Sequence, residues 1–317
     1  MKTPSVLPRH RNAWGMLNLG VAATIWGSTF VVSRYAMASV PSLHLVILRF
    51  ACSTALFTFL FLVRRPRLPH GREWWLYLGS AVSGYVLSIP LQFLGTSLTS
   101  AHIGSIVTCA TPLAMVVLAG VFLHERIRLR DVLAIATALA GVTLISLEGL
   151  RQNVGANPVR WLEGIAALVA AAVTWALYSL FLRLITRTQS SLTATGISNG
   201  LGFFILLPLF IPGGGDTVAT VAARPVLAAA IVYLAAVSTF LGFTLWTRGL
   251  EQVTSVSTSS LMFFCQPLAG TLLGMLVLRE RVELQTIIGS ALILAGLVVS
   301  MNTGGSPIRG DPLKQDR

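Results

Sequence analysis

The sequence predicts an all-α integral membrane protein of ten transmembrane helices arranged as two inverted five-helix repeats. Three observations predict it: an apolar composition, ten apolar runs with short polar connectors, and a repeat relating the two halves of the chain.

Of the 317 residues, 54% are hydrophobic and 11% are Asp, Glu, Lys or Arg, against roughly 25% charged in soluble domains. Mean hydropathy is +0.77. Such a chain lacks the polar groups to cover a water-facing surface, so the bilayer is its natural solvent. The net charge of +12 would suit nucleic acid, but the basic residues sit in short clusters between apolar runs. That is the positive-inside pattern, and no nucleic-acid partner is expected. Cys52, Cys109 and Cys265 all lie in apolar runs. They read as small buried hydrophobes, not as a disulfide or zinc set. No metal or other cofactor is expected. The segment from Lys2 to Arg11, followed by the apolar run from Ala13, reads as a signal anchor.

A spanning helix needs roughly 20 apolar residues. The expected spans are 14–34, 43–63, 74–94, 101–123, 131–147, 162–182, 191–211, 226–246, 254–277 and 284–301. The longest polar connector runs from Glu148 to Arg160 and divides the spans into two groups of five. The expected organisation is a first repeat at 12–147, a connector at 148–161, a second repeat at 162–302 and a cytoplasmic tail at 303–317. Placing the N-terminus inside puts 16 of the 23 lysines and arginines on the cytoplasmic side and 6 outside, with Arg49 inside a span. Both termini are therefore expected in the cytoplasm. Nearly all of the bias lies in the first half, so the second half follows from helix count.

Residues 108–144 match 263–299 at a single offset of 155, pairing Pro112 with Pro267, Glu125 with Glu280, Arg126 with Arg281 and Gly141 with Gly296. The first helices of the halves match more loosely, AATIWGSTF at 22–30 against AAVTWALYS at 171–179, pairing Trp26 with Trp175. Five spans is an odd number, so the second copy must be inverted relative to the first. In secondary transporters of that design the substrate site lies near the midplane between repeats.

WGSTFVVSR at 26–34, LRF at 48–50, the stretches from Pro112 and Pro267 to HER and RER, and Trp175 to Tyr178 carry a resemblance. Through them, residues 12–302 resemble the EamA-type drug/metabolite transporter superfamily. The resemblance implies a central cavity lined mainly by the first, third, fourth, sixth, eighth and ninth helices. It also implies export or exchange of amino acids and related metabolites across a cell inner membrane. Arg34 departs from the family, many of whose members carry Lys there.

All eleven carboxylates fall at span ends, in loops or in the tails. A buried proton relay is not expected, since an ionisable group in a span is costly and usually functional. Arg49 is the one strong charge inside a span. It reads first as structural, bonded to neighbouring carbonyls or snorkelling outward, and second as an attractor of a substrate carboxylate. Trp26, Tyr85, Trp175, Tyr178 and Phe263 are candidates for an aromatic substrate wall. Trp246, near a span end, reads equally as an interfacial belt residue, and Trp74 and Trp75 as belt. Gln92, Ser105, Thr108 and Ser260 are hydrogen-bonding candidates, against the commoner role of membrane hydroxyls as helix bridges. Ser105 and Ser260 are repeat-equivalent. His102 reads as a capping or solvated histidine. Pro112 and Pro267 are candidate gating kinks, because proline removes a backbone donor. Gly196–Gly200 and Gly270–Gly274 read as close helix contacts. The Gly213–Gly215 run reads as a flexible turn.

No HExxH, paired-Asp or P-loop motif occurs, so the chain is not expected to be an enzyme or an ATP-driven pump. The expectation is a secondary transporter, with a broad-specificity exporter of amphiphilic drugs or other metabolites as the alternative. Its expected partners are a small-molecule substrate and membrane lipids, and it is expected to act as a monomer or homodimer.

Overall fold

A computed structural model describes residues 9–99, 104, 107–108, 111–123, 129, 132–137, 139–141, 143–144, 158–253, 259–269, 288–289 and 291–296. Eight main helices are labelled in chain order. They are α1 (Arg9–Met37), α2 (Ser42–Arg64), α3 (Glu73–Leu98), α4 (Thr111–Leu123), α5 (Pro158–Ile185), α6 (Ser191–Leu206), α7 (Gly214–Ala222) and α8 (Pro225–Gln252). Among the described residues, six helices are long and apolar enough to cross a membrane: α1, α2, α3, α5, α8, and α6 with its 3-10 extension to Phe210. In hydrocarbon no water can satisfy a free peptide group, so helices are the answer to such apolar runs. The chain is a multi-pass membrane protein. The fifth and tenth expected spans are described only in short pieces, which meet where Gly141 faces the carbonyl of Gly289.

The surface is inverted relative to a soluble protein. Phe59, Leu62, Val169, Phe204 and Val232 are exposed, as lipid-facing positions should be. Cys52 is exposed too and Cys265 only half-buried, which corrects the expectation that both are buried; both are free thiols. Cys109 lies outside the described residues.

Small residues set the closest helix contacts. α1 runs along α8, and a β-carbon on Gly15 would sit 3.1 Å from the carbonyl oxygen of Gly249. α3 crosses α5 in the same way, with Gly95 and the carbonyl of Gly164 at 2.7 Å on the same measure. Gly196 packs on the rings of Phe57 and Phe61 in α2, whereas Gly200 makes only an ordinary contact with Thr54. The tighter glycine on α6 is Gly202, against Tyr85. Gly270 and Gly274 lie outside the described residues.

Polar contacts at the ends determine helix directions. Arg183, near the end of α5, donates to the carbonyls of Leu250 and Val253 at the end of α8. Asn18, near the start of α1, donates to Gln252 at 2.9 Å, and Ser191, at the start of α6, donates to Glu251. Gln189 reaches Glu73 at the start of α3. At the opposite end Arg224 donates to Ser39, and His44 pairs with Thr217 of α7. It follows that α1 and α5, α2 and α6, and α3 and α8 each run antiparallel.

Two features were not expected from sequence. α3 and α8 each contain a π-helical stretch, Ala81–Ser88 and Leu234–Leu241. At the offset of 155 the two overlap, and Ala81-Val82-Ser83 falls on Ala236-Val237-Ser238. The glycine run is the second difference. Gly213 makes the turn, at a φ of 74°, but Gly214 and Gly215 begin helix α7. Asp216 in its first turn favours that helix start.

Candidate functional site

The candidate site is a cavity between the helices. It is lined by Trp26 and Thr29 of α1, Arg49 of α2, Ser88, Ile89 and Gln92 of α3, Trp175 of α5 and Phe243 of α8. Thr108, Phe263 and Gln266 complete the wall. About 420 Å³ of space outside the protein atoms lies between these side chains, part of it open to solvent.

Helical spacing explains the grouping. Thr29 is three residues from Trp26, Gln92 four from Ser88, and Gln266 three from Phe263, so each pair shares a helix face. Two repeat relations converge here. Trp26 and Trp175 meet edge-to-face at 5.1 Å between ring centroids. Thr108 and Phe263, equivalent at the offset of 155, both line the wall.

The aromatic side chains form one connected cluster. Phe243 lies 5.5 Å from Trp26 and 5.2 Å from Trp175. Phe263 packs 4.6 Å from Trp246. Trp246 is fully buried and donates to Ser179 at 3.3 Å. The belt reading of Trp246 is therefore corrected: the residue supports the cavity wall from behind. Trp74 and Trp75 are exposed.

Tyr85 and Tyr178 are placed behind the wall, not in it. Both are fully buried, their hydroxyls 3.2 Å apart, and Tyr178 packs 4.9 Å from Trp175. Gly84 leaves room for the Tyr178 ring, which a β-carbon there would meet. Ser260 is fully buried and does not line the cavity. The Thr108 hydroxyl donates to the carbonyl of Gly104 within its own helix. Ser105 and His102 lie outside the described residues, as do Glu125, Arg126, Glu280 and Arg281.

Pro112 is buried in the helical stretch Thr111–Leu123, and Val107 and Thr108 before it are helical too. Pro267 is buried just after the 3-10 turn Leu261–Phe264. Pro267 has no N–H to offer the carbonyl of Phe263, four residues back. The tightened turn is the local adjustment that follows.

Arg49 departs furthest from expectation. It does not snorkel outward, and among the described residues it bonds no backbone carbonyl. It is 1% exposed, donates from Nε to Thr239 Oγ1, and donates from Nη2 to Ser238 Oγ at 3.2 Å. It also lines the cavity, so α2 contributes to the wall, contrary to what the family resemblance implied. Phe243, Thr29, Ser88, Ile89 and Gln266 are lining residues that sequence reasoning missed. The helical spacings from Trp26, Gln92 and Phe263, and the three-residue step from Trp246 to Phe243, were the available signals.

The EamA-like transporter family matches residues 13–147 and again 162–302. An uncharacterized transporter of Archaeoglobus fulgidus is 27% identical over 285 residues, covering 89% of this chain and 96% of that relative. A probable amino-acid metabolite efflux pump of Escherichia coli is 25% identical over 299 residues, covering 90% and 94%. One crystal structure superposes with a TM-score of 0.75 at 20% identity, over 92% of this chain and 98% of that one, a likeness of fold. With both halves matched in turn, the chain belongs to the EamA-like transporter family.

Proposed function

We propose that this protein is a secondary transporter that exports or exchanges amino acids or related metabolites by alternating access. In this reading ten spans form two inverted five-helix repeats in the inner membrane, with both termini cytoplasmic. Substrate binds the cavity walled by Trp26, Trp175, Phe243, Phe263, Gln92 and Thr108; Tyr178 braces Trp175, and Tyr85 packs behind Tyr178. Pro112 and Pro267 are the points at which the fourth and ninth spans flex.

The observation that carries the reading is the meeting of repeat-paired Trp26 and Trp175 at 5.1 Å in the wall of one cavity. A site between inverted repeats can be opened to either side by rocking one repeat against the other. Three antiparallel helix pairs, α1 with α5, α2 with α6 and α3 with α8, support that symmetry. The amino-acid class is supported by the Escherichia coli relative, a probable amino-acid metabolite efflux pump.

Counterflow in liposomes tests the proposal. Vesicles holding purified protein are preloaded with unlabelled aromatic, sulfur-containing or small neutral amino acids, and uptake of the labelled form is followed. Transient accumulation with one class is the expected result. If folded protein gives none with any amino acid, the substrate class is wrong, and the broad amphiphile exporter replaces it.

A further inference from the structure

We propose that Arg49 is the anchor for a carboxylate of the transported molecule, with the indole N–H of Trp175 as a second donor. The inference deepens the carrier reading and rests on it.

Among the described residues Arg49 is buried with no carboxylate in ion-pair distance. Its hydrogen-bond partners, Thr239 and Ser238, are neutral hydroxyls, and Nη1 has no partner among the described residues. The guanidinium carbon lies 5.9, 5.7 and 5.7 Å from the ring centres of Phe50, Phe93 and Phe243. Ring faces hold a cation in place without neutralising it. A buried charge lacking an opposite charge is costly in protein and in a membrane alike. A purely structural bridge between α2 and α8 needs no charge at all. The charge faces a cavity, where a ligand can compensate it.

Trp175 supplies the independent second observation. Its side chain is 6% exposed and lines the same cavity, and its Nε1 has no hydrogen-bond partner among the described residues. Arg49 and Trp175 thus line the same cavity, and each carries a donor with no partner among the described residues. An oxygen anion is their chemical complement, and a carboxylate presents two acceptor oxygens to such a fork. One arginine offers one positive charge, which a carboxylate matches with its own.

The test compares binding of acids and their amides to wild-type protein, Arg49→Gln and Arg49→Lys in nanodiscs. The probes are the amino acids of the counterflow panel, their primary amides, and the N-acetylated acids and amides. Wild-type protein is expected to prefer each acid over its amide by about 10- to 100-fold, the range for a hydrogen bond to a charged group. N-acetylation, which removes the ammonium, should preserve the preference. Arg49→Gln should lose the preference, and Arg49→Lys should recover part of it. A thermal melt of each variant in detergent reports that it is folded. If that variant does not fold, the wild-type comparison of N-acetylated acid and amide decides alone. Equal binding of acid and amide by wild type, or an unchanged preference in Arg49→Gln, overturns the role of Arg49 and leaves the carrier reading standing. Failure of wild type to bind any acid or amide overturns both.

Discussion

The indole N–H of Trp26 donates to the main-chain carbonyl of Ser238 at 3.0 Å. In an α-helix that carbonyl would accept from the N–H of residue 242. Here the N–H of Gly242 turns instead to the carbonyls of Val237 and Thr239, at the end of the π-helical stretch. The Ser238 hydroxyl meanwhile accepts from Arg49 and pairs with Thr29 at 2.8 Å. One residue of α8 thus orients three side chains of the cavity wall. π-helical turns are frequent at functional sites for this reason: they alter the backbone pairing and re-aim side chains.

Gly242 stands directly behind this arrangement, since a β-carbon there would lie 2.8 Å from Trp26 Nε1. Gly242→Ala is expected to displace the indole, cost about 1–3 kcal/mol of stability as an overpacked position does, and weaken substrate affinity. Thermal melts in detergent and counterflow KM check both. An unchanged KM would show that the placement of Trp26 is irrelevant to binding.

Trp26 and Trp175 should respond differently to phenylalanine. Trp26→Phe loses a buried hydrogen bond and should cost about 1 kcal/mol. Trp175→Phe removes a donor that has no partner among the described residues, so stability should hold while affinity for carboxylate-bearing substrate falls. Paired melts and binding curves separate the two outcomes. A stability loss at Trp175 equal to that at Trp26 would count against an unsatisfied indole.

Tyr178→Phe removes the hydroxyl contact with Tyr85 but keeps the ring against Trp175. Its expected cost is about 1 kcal/mol of stability, with KM unchanged. A large rise in KM would place the Tyr178 hydroxyl in the site after all.

Pro267→Ala restores a backbone donor where the helix now tightens into a 3-10 turn. Turnover is expected to fall more than substrate binding does, measured by exchange rate and equilibrium binding on the same preparation. Pro112→Ala is expected to act in the same direction. Equal loss of both quantities, or loss of neither, would remove the gating role.

Membrane embedding was legible in sequence because hydrocarbon accepts only apolar, internally bonded segments, and such segments announce themselves by length and hydropathy. The contribution of Trp26, Trp175, Thr108, Gln92 and Phe263 to one cavity wall was legible in part, because repeat matching and helical spacing constrain which faces turn inward. Tyr85 and Tyr178 show the limit: an aromatic on an inward face can line a cavity or stand behind its lining, and only packing distinguishes the two. Arg49 shows it again. From sequence, the cost of a charge in a span is plain, but not whether lipid headgroups, backbone carbonyls or a cavity relieve it. The π-helical turn of α8, which places Ser238 and Thr239 against that arginine, depends on how neighbouring helices press on one another. The sequence by itself determined that this chain is an apolar, repeated, membrane-spanning carrier scaffold. Only the tertiary structure decided which buried polar groups face one another across it, because that depends on close contacts between helices distant in the chain.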